Sequence, residues 1–412
     1  MIPVARPWMD DREAEAARRA ILSGWVTQGP EVAAFEREFA AAVDADHACA
    51  VSSCTTALHL ALLSLGVGAG DEVITVSHSF IATTNAIRYC GATPVFVDVE
   101  LATFNIDPAL VEAAISPRTK AILAVHQLGL PCDLAALMSI AKRRGVPVVE
   151  DAACAIGSEI NWQGEWERIG RPRGDVACFS FHPRKLLSTG DGGMLTTNNP
   201  ELDRTFRLLR QHGMSVPDAV RHASDQVIFE GYPVVGYNYR MTDIQGAIGR
   251  EQLQRLPAIV ARRRELAARY EQRLQSIDGI IVPREPQWAR SNWQSYAVRV
   301  GAWIDQRTVM QRMLDAGIAT RRGAMNVHRE ASYPPGTWYC GVSIAACECG
   351  GPGGCACLRH GEEAQETAIV LPLYHQLTEE DQDRVITTLE TTIRDLRFQS
   401  PITNHQSPIT NH

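Results

Sequence analysis

No stretch of this chain approaches the roughly 18 consecutive apolar residues of a membrane helix. The opening "MIPVARPWMDDREAEAARRAI" has no apolar core of signal-peptide length. No membrane partner is expected, and the expected compartment is the cytoplasm. A basic stripe is missing too. Lys and Arg number 40 against 47 Asp and Glu, a net charge of -7. Nothing is at hand to neutralise a phosphate backbone, so nucleic acid is not an expected partner. The Arg-rich "ARRRELAARYEQR" (261–273) alternates with Glu at helical spacing and reads as a solvated helix face.

What is present is an ordinary globular composition. Hydrophobic residues make up 45% and charged residues 21% of 412 positions, enough for one large domain and a smaller one. Eleven cysteines in a reducing compartment read as buried small apolar residues, metal ligands or reactive thiols. From residue 48 to about 200, short Val- and Ile-rich strands alternate with helices. Strands are read at "ACAVSS", "DEVITV", "TPVFVDV", "KAILAVH", "VPVVED", "DVACFSF" and "GGMLTT". Helices are read at "TTALHLALLSLG", "SFIATTNAIRYCG", "PALVEAAIS" and "CDLAALMSIAKRRG". That alternation predicts an α/β fold with a mainly parallel sheet between helices. Beyond about residue 248 the pattern changes to a long amphipathic helix ("EQLQRLPAIVARRRELAARYEQRLQS"), a strand ("WQSYAVRV") and two further helices, a smaller α+β domain. Residues 340–360 form a Cys- and Gly-rich loop, and the tail repeats "QSPITNH" in full.

Several segments carry chemistry. "VVEDAACAIGS" (148–158) puts Glu150 and Asp151 at the carboxyl end of a buried strand, the edge at which open parallel sheets bind ligands. Capping of the next helix is the alternative for Asp151. "SFHPRKLLSTGDGG" (180–193) places Lys185 just after another strand, so both groups can reach one crevice. A lysine that forms a Schiff base and a carboxylate that keeps a pyridine nitrogen protonated suit pyridoxal 5'-phosphate (PLP). "SSCTTALHLAL" (52–62) opens a helix whose free N–H groups suit a phosphate, with hydroxyls on Thr55 and Thr56 and a third on Ser180. A plain helix cap is the alternative there. "VSHSFIATTNAI" (76–87) offers Phe80 to stack on a planar ring, with core packing as the alternative.

These residues together resemble the DegT-type aminotransferases, PLP-dependent enzymes of the aspartate-aminotransferase fold (fold type I) that aminate keto sugars and cyclitols. The likeness spans about residues 5 to 395 and includes "GWVTQGPEVAAFE", "VFVDVE" and "GYNYRMTDIQGAIG" besides the motifs above. It implies a large PLP-binding domain with a seven-stranded sheet over residues 1–248 and a small C-terminal domain over 249–395. Residues 396–412 are expected to be a disordered tail. It further implies Lys185 as the Schiff-base lysine, Asp151 as the pyridinium partner, Phe80 as the stacking ring, and Thr55, Thr56 and Ser180 as phosphate contacts. Asn238, in "GYNYRM", resembles the residue that reaches the phosphate of the neighbouring subunit, which implies a homodimer with a shared active site. His328 would face the sugar pocket, with a satisfied structural histidine as the alternative. From their own chemistry, Arg321 and Arg322 suit the oxyanions of a substrate diphosphate, with plain surface exposure as the alternative.

The implied reaction moves an amino group from glutamate or glutamine to a keto sugar, nucleotide-linked, by a ping-pong route through PLP and PMP. A cyclitol or other keto acceptor, a PLP-dependent lyase or dehydratase, and a non-catalytic PLP-binding regulator are the alternatives. The dehydratase branch of the family replaces the lysine with His, which Lys185 argues against. Two positions depart from the family. Cys154 stands where a Gln or His near the cofactor's ring hydroxyl is common, and Cys54 takes the Gly place of a Ser-Gly-Thr turn. For the Cys-rich loop, no metal is the expectation. The alternative is zinc held by Cys347, Cys349, Cys355 and Cys357.

Overall fold

The apolar runs of the first half line up as neighbouring strands of one sheet. The computed structural model describes residues 1–216, 221, 224–341 and 354–399. The chain begins with α1 (Asp11–Leu22), α2 (Pro30–Val43), β1 (His47–Val51), α3 (Cys54–Ser64), β2 (Glu72–Val76), α4 (Ala82–Tyr89) and β3 (Thr93–Val97). Next come α5 (Pro108–Ala114), β4 (Thr119–Val125), α6 (Leu134–Arg144), β5 (Val148–Asp151), β6 (Glu159–Trp162), β7 (Glu165–Arg168), β8 (Val176–Ser180) and β9 (Gly193–Thr197). They are followed by α7 (Pro200–Leu209), α8 (Asp243–Leu274), β10 (Ile280–Ile281), β11 (Ala289–Arg290), β12 (Tyr296–Val300) and α9 (Gln306–Asp315). The last are β13 (Arg321–Arg322), β14 (Tyr339–Cys340), α10 (Arg359–Thr367), β15 (Ala368–Leu371) and α11 (Glu379–Gln399).

The main sheet has the order β1-β9-β8-β5-β4-β2-β3-β14. The expected seven strands are joined by an eighth, the two-residue β14, parallel to β3. β3, β2, β4, β5 and β8 run parallel, whereas β9 is antiparallel to both β8 and β1. Period-two alternation divides each strand between two cores. Ala48, Ala50, Ile74, Ile122, Val148 and Phe179 face one layer, with α2 and α6. Cys49, Val51, Val73, Leu123, Val149 and Cys178 face the other, beneath α3 and α7. Cys49, Cys54 and Cys178 are thus small core residues.

The C-terminal part packs α9, α11 and the second half of α8 on a four-stranded sheet, β10-β12-β15-β13. α8 runs without interruption across residue 248, where the composition changes. Its Leu253, Leu256, Ile259 and Val260 belong to the first core. Its Leu266, Ala267, Tyr270 and Leu274 belong to a separate core, that of the C-terminal part. Helix α11 extends to Gln399, past residue 396, and residues 400–412 lie outside the described residues. The hairpin β6–β7 has no counterpart in the sequence reading. Its turn, Gln163-Gly164, has φ of 54° and 97°, the left-handed pair of a tight hairpin turn. Its charged residues hide the alternation that marks a strand.

One ionic knot anchors β1, and with it the start of α3. Glu36, buried on α2, accepts from Arg210 Nη1 at 2.5 Å, Arg207 Nη1 at 2.7 Å and the Ala50 N–H at 2.9 Å. Arg210 and Arg207 also donate to the carbonyls of Ala50 and Ala48, both at 2.7 Å. Burial opposes the charge on Glu36, but the two guanidinium groups outweigh it and hold the carboxyl below its usual 4.5. A lowered folded-state pKa gives stability that is present above about pH 4.5 and lost as pH falls through the folded value. Glu36→Gln leaves Arg210 buried without its counter-charge and is expected to cost about 3 kcal/mol. It should also flatten the acid limb of the stability curve. Thermal melts of both proteins across pH 3 to 8 check both effects.

Candidate active site

The two carboxylates at the end of β5 point to different jobs. Glu150 is fully buried. It accepts from the Gly174 N–H at 2.9 Å and meets His126 Nε2 at 3.0 Å. His126 Nδ1 lies 2.9 Å from the Cys132 N–H and accepts it, so the ring proton is assigned to Nε2 and donates to Glu150. That pair is internal scaffolding. Asp151 lies at the carboxyl edge between Val125 and Cys178 of the flanking strands. Its Oδ2 accepts from Thr83 Oγ1 at 2.8 Å and its Oδ1 from the Ala153 N–H at 3.1 Å. The carboxylate is therefore fixed in orientation.

Lys185 follows β8 in a turn closed by its own N–H on the His182 carbonyl at 2.8 Å. Its Nζ donates to Cys154 Sγ at 3.0 Å. Cys154 is three residues from Asp151, so one contact joins the two turns. The chain has three lysines, Lys120, Lys142 and Lys185, and the first two are exposed while Lys185 is half-buried. Burial disfavours the charged amine, but Cys154, Cys54 and Asp151 outweigh it and hold the Lys185 pKa above its usual 10.5. Asp151, Cys154 and Cys54 all act electrostatically on Lys185, and Asp151, Cys154 and Lys185 on Cys54.

The start of α3 lies beside them. Ser53 caps the helix and Thr56 completes a capping box. Thr56 Oγ1 donates to the Ser53 carbonyl at 2.7 Å and accepts the Ser53 N–H at 3.1 Å. The Thr56 hydroxyl thus shapes the helix end, whose N–H groups and positive dipole end suit an anion. Gly193 packs so closely that a Cβ would sit 2.5 Å from the Ser53 carbonyl carbon. Gly193 is the register partner of Ser180, so Ser180 lies on the strand next to the one that presses against the helix start. The Cys54 thiol turns inward, 3.7 Å from the Cys178 carbonyl. Its bulk therefore enters the core, which explains how the fold tolerates it in place of Gly.

Phe80 is 63% exposed, on the loop after β2, so core packing does not account for it. Asn238 is also exposed, beside Tyr239, whose carbonyl accepts the Ser52 N–H at 2.8 Å. Arg321 and Arg322 are exposed on β13, and Arg322 lies 3.7 Å from Glu330. His328 departs from expectation. Its side chain is 2% exposed, with Nδ1 2.6 Å from Ser77 Oγ and Nε2 2.8 Å from Glu362 Oε1. Both ring nitrogens are engaged, so it offers none to a sugar. Cys347 and Cys349 lie outside the described residues.

Three positioning residues escape the sequence reading. Thr83 lies inside a quoted motif, but only the fold turns it toward Asp151. Asn292 donates to the carbonyls of Cys154 at 2.8 Å and Ile156 at 2.7 Å. Gln294 donates to the Arg184 carbonyl at 2.6 Å. One short segment before β12 therefore clamps both active turns. Its partners lie more than a hundred positions away, and the clue available in the linear sequence is the polar residues flanking Trp293.

A family model, the DegT/DnrJ/EryC1/StrS aminotransferase family, matches residues 7–390. The chain belongs to this family. It is an aminotransferase, and its cofactor is pyridoxal 5'-phosphate; solved structures that share the fold include PLP and PMP forms. The family member is 37% identical over 396 residues to GDP-perosamine synthase of Caulobacter vibrioides, covering 95% of this chain and 98% of that one. It is 36% identical over 397 residues to the spore coat polysaccharide biosynthesis protein SpsC of Bacillus subtilis, covering 95% and 97%. Its fold matches the aminotransferase TlmJ of Streptoalloteichus hindustanus with a TM-score of 0.84 and 35% identity, covering 96% and 100%. The residues present fit the cofactor: a half-buried amine, an oriented carboxylate and a capped helix start meet at one sheet edge. No helix of the described residues is long and apolar enough to cross a membrane.

The Cys154 contact has a measurable consequence. With Lys185 taken as the amine that captures PLP, which requires its neutral form, cofactor uptake by the apoenzyme should climb with pH as Lys185 loses its proton. Removing a neighbour that raises the pKa moves that climb to lower pH. Stopped-flow cofactor uptake by Cys154→Ala should show the shift. Asn292→Ala should lower kcat by about 10- to 100-fold through misplaced turns, with the bound-cofactor absorbance retained.

Proposed function

We propose that this aminotransferase moves an amino group from glutamate or glutamine to a nucleotide-linked keto sugar, in two half-reactions at one crevice. The reading is carried by the meeting of the Lys185 amine, the Asp151 carboxylate and the start of α3. The acceptor class is supported by the relatives, one named for a GDP-sugar product and one for polysaccharide biosynthesis.

Bound PLP supplies a carbonyl carbon to receive the amino group and a ring that withdraws electrons. Lys185 holds the cofactor and, when free, takes the proton from the donor Cα and returns it as an acid. Asp151, fixed by Thr83 and the Ala153 N–H, keeps a proton on the ring nitrogen. Thr55, Ser180 and the N–H groups opening α3 bind the phosphate, with Thr56 holding the helix end in shape. Phe80, exposed on the loop after β2, would stack on the cofactor ring. Cys154 would offer the ring hydroxyl a weak hydrogen-bond partner. Asn238 completes the phosphate site of the second subunit in a homodimer, for which its exposure leaves it available. Arg321 is assigned to the substrate diphosphate, which its exposure on β13 permits. The amino group would stay on the cofactor after the donor's keto acid has left and before the acceptor binds, which makes the kinetics ping-pong.

A half-reaction screen tests this. Glutamate or glutamine should convert the enzyme to its PMP spectrum, and nucleotide-linked keto sugars should restore the PLP spectrum. Restoration by free cyclitol ketones alone would overturn the acceptor assignment. Lys185→Ala should reduce turnover by roughly a thousandfold or more, measured as amino-sugar formation. Retained turnover would overturn the role of Lys185.

A further inference from the structure

Three thiols converge at the far edge of the main sheet. The Sγ atoms of Cys340, Cys355 and Cys357 all lie within 4.8 Å of one another. Cys340 and Cys355 are buried, and Cys357 is half-buried. They come from two segments. Cys340 is in β14, which among the described residues joins the sheet through two register pairs, Tyr339 with Val95 and Cys340 with Phe96. Cys355 and Cys357 form a C-x-C pair just before α10.

The local backbone aims the pair. The Leu358 N–H donates to the Cys355 carbonyl at 2.9 Å, closing a turn around Cys357. The Cys355 N–H donates to Glu362 Oε1 at 2.9 Å. Gly354, at φ +86°, passes so near the Glu362 carboxylate that a Cβ would sit 2.4 Å from Oε1. The turn is thus tied down on both sides of Cys355. Among the described residues the surrounding apolar cluster is small: Phe96, Val327, Tyr333, Trp338, Cys340, Cys355 and Leu358, with Ile81 and Cys357 partly buried against it. A satellite core of this size has little burial to hold a two-residue edge strand, and small cores are commonly stapled by a metal or a disulfide. The other buried cysteines differ. Cys49, Cys54 and Cys178 pack among the aliphatic side chains of the sheet face.

We propose that Cys340, Cys355 and Cys357 form a structural zinc site. Tetrahedral thiolates at Zn–S of about 2.3 Å stand roughly 3.8 Å apart. The three sulfurs therefore need only a small contraction to close on the ion. Binding releases one proton from each thiol and makes three Zn–S bonds, and the fourth tetrahedral position takes a further ligand. The set differs from the one read from the sequence, because β14 supplies Cys340 from across the loop. Glu362 extends the consequence inward. The same carboxylate that fixes Cys355 binds His328, which binds Ser77 on the loop leading to Phe80. Zinc would therefore stiffen one wall of the crevice without touching the chemistry.

The test uses the full-length holoenzyme, purified without chelators or metal-affinity resin. Elemental analysis should find about one zinc per chain, released by an organomercurial that titrates thiols. Replacing zinc with cobalt should give thiolate-to-cobalt absorption. Cys355→Ser and Cys357→Ser should each lose at least about nine-tenths of the zinc and melt earlier, while keeping the absorbance of lysine-bound PLP as the sign of a folded site. Cys90→Ser should keep its zinc. The proposal is overturned if the unmodified protein contains no zinc and takes up none from micromolar zinc. It is equally overturned by a disulfide among the three cysteines in peptide mapping, or by full zinc content in Cys355→Ser. If the serine variants do not fold, zinc-dependent protection of the three thiols from alkylation in the unmodified protein decides the matter, with equal alkylation overturning the site.

Discussion

The site depends on the contact between the Lys185 amine and the Cys154 sulfur, 3.0 Å apart. It joins the turn after β8 to the turn after β5, and so joins the lysine to Asp151. Asn292 and Gln294 hold both turns from outside, through the carbonyls of Cys154, Ile156 and Arg184. A parallel sheet supplies the edge where strand ends converge, and the clamp sets the spacing of the groups within it.

The same logic governs the anion site. Gly193 lets β9 press against the start of α3, and the Glu36 knot fixes β1, which leads into that helix. Because Cys54 points into the core, a departure from the family pattern at the phosphate turn changes packing more than it changes the surface offered to an anion. Cys154 is the opposite case. Its sulfur is in direct contact with the lysine, so this second departure acts on the Lys185 amine itself.

Much of the layout was legible in the sequence. The Val- and Ile-rich runs marked the strands because burial on both faces leaves few other residue types suitable. Helix ends and the Asp151–Lys185 pairing followed from turn residues and from the edge rule for parallel sheets. The hairpin β6–β7 was hidden because its charged residues mask the alternation. His328 illustrates a different limit: whether a histidine faces a ligand or a buried Glu362 is decided by a partner 34 positions away. Asn292, Gln294 and Cys340 were illegible for the same reason. Each acts through a contact that only the folded chain creates.

The most direct measurement is borohydride reduction of the holoenzyme followed by peptide mapping. With only Lys120, Lys142 and Lys185 in the chain, the outcome is a choice among three sites. The account predicts the cofactor mass on the peptide that contains Lys185 and on no other. Recovery of that mass on Lys120 or Lys142, or of no modified lysine from active enzyme, would contradict it.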